Sequence, residues 1–169
     1  KQRLSQPGHV VGLRGVTSLN SIESTPAGIK IGALCTQRQV ENSIAIVEGL
    51  PLLADTFRKV ATPRIRNMAT IGGGLVNGDP NQDPPPSLIA LGASAVITSK
   101  NGERTVPVEE LFIDYYETDV QPGEVLTSVL VPKAPVESGS VYLKFLPRTA
   151  DDYGTVSVAS IVSKEQDDI

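Results

Sequence analysis

Three consecutive glycines, Gly72 to Gly74, form the stretch of this sequence best suited to binding an anion. Backbone N–H groups can approach a phosphate closely at glycine, since no side chain stands between them. Neither common phosphate loop fits the surrounding residues. The Gly-Lys-Ser/Thr ending of a P-loop is missing, and Asn77 stands where a Rossmann fingerprint requires glycine. The stretch therefore predicts an anion-binding loop of another design.

Asp83 is the second candidate for chemistry, because it directly precedes Pro84, Pro85 and Pro86. Prolines suit the first turn of a helix, so Asp83 could be the N-cap of the apolar helix that follows. Alternatively, the rigid prolines could hold its carboxylate where sugar hydroxyls donate to it. Because a carboxylate offers about four acceptor sites, the two roles can coexist.

The chain has few residues that could bind a metal or act as a nucleophile, since it contains one cysteine, Cys35, and one histidine, His9. An internal disulfide is excluded, and neither a metal site nor a Cys–His nucleophile pair is expected. No catalytic side chain is predicted. If the chain takes part in redox chemistry, it must use a bound cofactor.

Composition describes an ordinary globular chain of 169 residues, with 40% hydrophobic and 20% charged residues. This length favours one domain or two small subdomains. The net charge is −4, and positive residues are scattered except around 58–66, which argues against nucleic-acid binding. The sequence contains no run of about 18 apolar residues, so no membrane span is expected. The first residues lack the apolar region of a signal peptide. A cytoplasmic location is therefore expected.

Hydrophobic periodicity predicts helices early and strands late, which indicates the α+β class. Short strands are predicted at 10–13 and 28–34. Thr36 opens a helix with a capping box to Gln39, and its apolar face continues through Val40, Ile44 and Val47. Further helices are predicted from Pro51 and over 88–93. The later predicted strands are 95–99, 104–108, 125–131, 141–145 and 155–162.

Several separately placed motifs occur along nearly the whole chain. They are Pro63 to Gly73 (PRIRNMATIGG), Gly78-Asp79-Pro80, Asp83-Pro84-Pro85 before the apolar run 88–91, Pro122 to Leu126 leading to Val131-Pro132, 142–145 with Arg148, and Asp151-Asp152-Tyr153 before 156–159. In this order they resemble the FAD-binding subunit of molybdenum hydroxylases. That family includes the medium subunit of aerobic carbon monoxide dehydrogenase and the flavin domain of xanthine dehydrogenase.

The resemblance implies that the glycine stretch binds FAD. Thr70, Gly72, Gly73 and Gly74 would contact the cofactor through hydroxyl and backbone groups near its pyrophosphate and ribityl chain. Asn77 would occupy a polar position beside the flavin. The family usually has asparagine where Gly74 stands, so one hydrogen bond to the cofactor is expected to be missing here.

The resemblance also implies cofactor contacts outside the glycine stretch. Asp83 would bind the sugar hydroxyls, and Ala61 and Leu126 would be apolar contacts. Lys144 would lie near the flavin ring, although a lysine on an amphipathic strand is more often solvated. Tyr153 would lie against the isoalloxazine ring, the alternative being a core or interface role.

The implied fold is the FAD-binding fold of the PCMH (vanillyl-alcohol oxidase-like) type. Its division is expected at 1–132 for the FAD-binding domain and 133–169 for the start of a C-terminal subdomain. The family's first glycine-rich loop would lie before Lys1, and its C-terminal subdomain would be present only as its opening strands from about Ser140, so both chain ends look truncated. These 169 residues alone are expected to bind FAD weakly or not at all.

The implied function is electron transfer from iron–sulfur clusters of a small subunit, through FAD, to an external acceptor. A molybdenum-cofactor large subunit would hydroxylate the substrate. Two alternatives remain at this point. One is a noncatalytic nucleotide-binding or scaffolding module, and the other is a truncated fragment that folds without cofactor.

Overall fold

A computed structural model describes residues 7–146, 149 and 152–164. Arg148 and Asp151 of the motifs above lie outside the described residues, as do residues 1–6 and 165–169. A 3-10 helix at Thr17–Leu19 precedes the other elements. The described helices are α1 (Gln37–Asn42), α2 (Ile44–Gly49), α3 (Pro51–Arg58), α4 (Pro63–Arg66), α5 (Ile71–Asn77), α6 (Pro84–Ala90) and α7 (Val108–Leu111). The described strands are β1 (Ile22–Thr25), β2 (Gly28–Gly32), β3 (Ser94–Ser99), β4 (Gly102–Pro107), β5 (Phe112–Asp114), β6 (Glu117–Thr118), β7 (Val125–Pro132), β8 (Ser138–Phe145) and β9 (Val156–Ser163).

Five antiparallel strands form the main sheet in the order β1-β2-β7-β3-β4. Two smaller sheets pair β5 with β6 and β8 with β9. This combination of helices with antiparallel sheets agrees with the predicted α+β class. Among the described helices, none has the length and apolar character that crossing a bilayer requires.

β7 lies in the centre of the main sheet, next to the core strands β2 and β3. Ile31 and Ile97 from these neighbours are at most 1% exposed. A register shift interrupts the pairing of β3 with β7 between Val96 and Ile97. At this irregularity the Thr127 carbonyl accepts a hydrogen bond from the Ala33 N–H, at 2.9 Å. The central strand thereby fixes the segment that follows β2.

The later predicted strands are confirmed within a few residues as β3, β4, β7, β8 and β9. The strand predicted at 10–13 is wrong, since this segment belongs to no described strand and Val10 and Val11 are 85% and 81% exposed. The edge of the sheet beside β2 is taken instead by β1, which pairs through Ile22 with Ile31. Only four residues long, β1 carries too little alternation to be read from sequence.

The predicted capping box of α1 is confirmed. Thr36 Oγ1 accepts from the Gln39 N–H at 3.2 Å, and Gln39 Oε1 accepts from the Thr36 N–H at 2.7 Å. The predicted apolar face fails after Val40, because Ser43 has extended backbone dihedrals and separates α1 from α2. The interruption leaves Ile44 73% exposed, and the buried residue of α2 is instead Ile46.

Thr36→Ala is expected to lower the free energy of unfolding by about 1 kcal/mol, because the first turn of α1 loses a capping acceptor. Ser43→Ala is the matched control, since Ser43 holds the same position before α2 and makes no side-chain capping bond. Urea denaturation of both variants measures the difference. Equal losses would contradict a role of the Thr36 hydroxyl.

Candidate functional site

The glycine stretch forms the body of α5, not a loop. Thr70 is its N-cap, and Thr70 Oγ1 accepts from the Gly73 N–H at 3.1 Å. The Gly74 N–H donates to the Thr70 carbonyl at 3.0 Å, and the Gly72 N–H donates to the Ala33 carbonyl at 2.9 Å. All three glycine N–H groups therefore have protein acceptors. The predicted loop conformation is wrong, because these residues form a helix. Anion binding by this stretch stays a prediction.

Two backbone hydrogen bonds hold the start of α5 against the segment after β2. The Ile71 N–H donates to the Cys35 carbonyl at 3.0 Å, and the Gln37 N–H donates to the Ala69 carbonyl at 2.9 Å. Gly78 then ends α5 in a left-handed conformation, with φ of 62°. The helix is short but fixed at both ends.

Asp83 lies in a buried hydrogen-bond network. Its Oδ1 accepts from Tyr142 Oη at 2.6 Å, and its Oδ2 accepts from Lys144 Nζ at 2.9 Å. Asp83 occupies the N-cap position of α6, which begins four residues before the predicted start, but its side chain makes no capping bond. The predicted N-cap position is therefore confirmed, but the carboxylate does not cap the helix, because both of its oxygens accept from side chains of β8.

Lys144 is buried, with its side chain only 2% exposed, so the solvated alternative is wrong. Its ammonium also donates to the Lys59 carbonyl at 3.1 Å. In return, Lys59 Nζ donates to the Tyr142 carbonyl at 2.6 Å and lies 5.4 Å from the centre of the Tyr142 ring. These reciprocal bonds tie the end of α3 to β8. Burial, and next the hydrogen bond to Asp83, raise the pKa of Tyr142 well above its usual range.

A cavity of about 240 Å³ opens beside this network. It brings together six of the ten predicted cofactor positions, which are Ala61, Gly74, Asn77, Asp83, Lys144 and Tyr153. These residues come from five separate places along the chain. The remaining lining residues are Gln37, Val60, Ile65, Asp79, Gln82, Pro84 and Asp152.

One wall of the cavity is a tight turn at Ala61, which has a φ of 37°. Arg66 holds this turn from behind, since its Nη1 donates to the carbonyls of Val60 and Ala61 at 2.6 and 3.0 Å. The Arg66 Nε donates to Glu41 at 2.9 Å, and both side chains are nearly buried. A charged pair therefore supports an otherwise apolar wall.

Tyr153 also lines the cavity. It is 63% exposed, and its hydroxyl donates to Asp79 Oδ2 at 3.1 Å. This hydrogen bond is the first cause that raises the pKa of Tyr153, and partial burial is the second. Tyr153 is thus not a core residue, and its interface alternative stays a prediction.

Four predicted cofactor positions do not line the cavity. Thr70 caps α5 by accepting from the Gly73 N–H, and Gly72 packs against Ala33. Leu126 is 4% exposed in the main sheet, where it pairs with Ile97. Their predicted contacts with the cofactor stay predictions.

Comparison with known proteins identifies the family. The family described as "FAD binding domain in molybdopterin dehydrogenase" matches residues 1–134. The chain belongs to this family. The resemblance read from the separate motifs is therefore confirmed.

Individual relatives of this FAD-binding domain match over almost the whole chain. The carbon monoxide dehydrogenase medium chain of Afipia carboxidovorans is 36% identical over 96% of this chain and 56% of its own length. The nicotine 6-hydroxylase medium subunit of Paenarthrobacter nicotinovorans is 35% identical over 95% of this chain and 56% of its own. The solved structure of reconstituted CO dehydrogenase from Oligotropha carboxidovorans matches with a TM-score of 0.90 at 34% identity, over 96% of this chain and 57% of that chain. The chain as a whole thus spans little more than half the length of these relatives.

Sequence reasoning missed several polar residues in and around this cavity. Gln37 is 7% exposed, and its Oε1 is buried without a hydrogen-bond partner among the described residues, as is Gln82 Nε2. Tyr142 and Arg66 were also missed; they do not line the cavity but bond to Asp83 and Ala61, which do. A glutamine in a first turn or a proline-rich loop normally faces water, so the sequence pattern did not predict the burial of Gln37 and of Gln82 Nε2.

A larger cavity of about 450 Å³ lies on the other side of the segment 79–83 in the FAD-binding domain. Its walls include Ile89 of α6, Tyr115 and the start of β9. Of the ten predicted positions it contains only Asp83. The smaller cavity therefore remains the candidate site.

Proposed function

We propose that this chain is the FAD-binding part of the flavoprotein subunit of a molybdenum hydroxylase or dehydrogenase. The proposed role is electron transfer from iron–sulfur clusters to an external acceptor. Its proposed partners are an iron–sulfur small subunit and a molybdenum-cofactor large subunit. The relatives' names, medium chain and medium subunit, support a multi-subunit assembly.

The observation that carries this proposal is the cavity that gathers six predicted cofactor positions in a member of an FAD-binding family. Its volume of about 240 Å³ lies below the usual range of about 300 to 1,000 Å³ for sites that enclose a drug-sized ligand. The cavity would therefore hold one part of FAD, and the rest of the dinucleotide would extend beyond it.

The residues present fit this cofactor. Gly74 leaves the floor of the cavity open, since it has no side chain there. Lys144 and Asp83 supply a fixed, paired charge in the lining, and Tyr153 adds an aromatic ring to it. Bound FAD would supply the redox chemistry. The chain's own residues would bind and orient it and set the charge around it.

We further propose the PCMH-type fold and a division at residue 132. The topology supports the division, because β7 completes the main sheet and ends at Pro132, whereas β8 and β9 pair only with each other among the described strands. Tyr142 and Lys144 cross from this second unit to Asp83. The candidate site would therefore require both units.

Gly74→Phe is expected to weaken FAD binding by more than tenfold in the intact protein, because the aromatic side chain would fill the cavity. Val76→Phe is the matched control. Val76 lies on the same helix, is 39% exposed and does not line the cavity. Quenching of flavin fluorescence during titration measures both affinities.

Two outcomes would count against the proposal, and they are distinguishable. An intact wild-type protein that binds no FAD would exclude the flavoprotein function and favour a scaffolding role. A wild-type protein that binds FAD, together with a Gly74→Phe variant that binds it equally well, would move the site elsewhere.

A further inference from the structure

Ala61, which lines the smaller cavity, has an unusual backbone conformation. Its φ of 37° is positive, and a positive φ is uncommon for residues other than glycine, asparagine and aspartate. Among the described non-glycine residues, Tyr116 and Glu137 share this feature, and neither lines the smaller cavity. Such a conformation persists only where the surrounding structure enforces it, and it clusters at ligand-binding sites. The contacts that enforce it at Ala61 are therefore candidates for a role in binding.

Two buried cations hold the turn at Ala61 through three consecutive carbonyls. Arg66 Nη1 donates to the carbonyls of Val60 and Ala61 at 2.6 and 3.0 Å. Lys144 Nζ donates to the carbonyl of Lys59 at 3.1 Å. Because α3 ends directly before this turn, the three carbonyls follow the negative end of the helix dipole, where cations are stabilising. The turn is thus held by charge-assisted hydrogen bonds, which are stronger than those between neutral groups.

Glu41 orients the Arg66 side chain. The Arg66 Nε donates to Glu41 Oε2 at 2.9 Å, and the two side chains are 8% and 7% exposed. The guanidinium is planar and rigid, so a bond that fixes Nε also directs Nη1 toward the two carbonyls. A lysine at position 66 could balance the charge of Glu41, but its single ammonium lacks this fixed fork. Arginine therefore suits a position that must bind Glu41 and the turn at the same time.

We infer that Arg66 is a positioning residue for FAD, because it holds Ala61 in its positive-φ conformation and thereby fixes one wall of the smaller cavity. This inference rests on the proposed function. Arg66 does not line the cavity, so it acts through the backbone of Ala61 and not by contact with the cofactor. A purely structural Arg66 would instead affect stability without changing the FAD affinity of the folded protein.

Arg66→Lys in the intact protein removes the fork and keeps a positive charge beside Glu41. FAD binding is expected to weaken about three- to tenfold, because the turn at Ala61 is no longer fixed. Arg64→Lys is the matched control, since Arg64 lies on the same helix, is exposed and does not line the cavity. Its FAD affinity should stay within about twofold of wild type. Flavin fluorescence titrations well below the Tm of each cofactor-free variant keep unfolding out of the measurement.

Glycine at position 61 tests whether Arg66 acts through Ala61. Glycine adopts positive φ without steric cost, so an Ala61→Gly protein should depend less on Arg66. In that background, Arg66→Lys should weaken FAD binding by about twofold or less. An equal loss in both backgrounds would overturn the action through Ala61.

The pair Glu41→Gln/Arg66→Met repeats the test without a buried charge, so the result does not depend on whether lysine is tolerated at position 66. Its FAD affinity should fall at least as far as that of Arg66→Lys, whereas Glu41→Gln alone should bind like wild type. If the pair binds FAD as tightly as Glu41→Gln, Arg66 has no positioning role, and wild-type FAD binding leaves the proposed function intact. A wild-type protein without FAD binding would overturn both.

Discussion

Replacing Lys144 by methionine is expected to lower the free energy of unfolding by about 3 to 5 kcal/mol, because a buried carboxylate loses its cation. The Asp83 side chain is 6% exposed in this ion pair and the Lys144 side chain 2%. Tyr142 still donates to Asp83 Oδ1 in the variant, but a neutral hydroxyl does not compensate the charge. Chemical denaturation measures the loss.

Two further variants make this expectation specific. Lys30→Met changes an exposed strand lysine in the same way and should alter the free energy of unfolding by no more than about 0.5 kcal/mol. The double variant Asp83→Asn/Lys144→Met removes the buried charge and keeps an acceptor for Tyr142, so it should recover most of the loss. A Lys144→Met protein as stable as the Lys30→Met control would contradict the dependence of Asp83 on Lys144.

The elements of this fold could be predicted where the sequence carries a local physical signal. The capping box at Thr36 and the proline at the start of α3 act within one turn of helix, so both are visible without tertiary information. The break at Ser43 could not be predicted from sequence, because serine is compatible with a helix and no local pattern indicates its extended dihedrals.

The glycine stretch likewise shows that local sequence signals do not always predict the backbone conformation. Glycine weakens a helix by roughly 1 kcal/mol relative to alanine, so three in a row favour a loop by local propensity. Here the tertiary hydrogen bonds from Ile71 and Gly72 to the segment after β2 override that propensity. The sequence identified six residues that line the candidate cavity, but it assigned the wrong backbone conformation to the glycine stretch.

The partners of Asp83 could not be predicted from sequence either. Tyr142 and Lys144 follow Asp83 by 59 and 61 positions, and only the packing of β8 on α3 brings them together. The family resemblance placed Asp83 and Lys144 near one cofactor, and their direct ion pair emerges only in three dimensions. Gln37 and Gln82 lay outside the resemblance altogether.

Gly72→Ala is expected to lower the free energy of unfolding by about 3 kcal/mol, at the upper end of the cost of overpacking. A Cβ atom at residue 72 would lie 2.6 Å from Ala33 Cβ and 2.9 Å from the Ala33 carbonyl oxygen. Ala33 cannot move away easily, since its N–H is bonded to the Thr127 carbonyl of the central strand. The helical preference of alanine offsets at most about 1 kcal/mol of this cost.

Gly74→Ala provides the matched control for this effect, because its Cβ would meet only the flexible ends of the Gln82 and Gln37 side chains, at 3.1 and 3.8 Å. This control should be as stable as wild type or slightly more stable, since alanine favours α5. Denaturation curves of the two variants separate a steric requirement at residue 72 from a general intolerance of side chains on α5. Equal stability of the two would mean that the contact of α5 with Ala33 can relax, and that Gly72 is not needed to seat this helix beside the cavity.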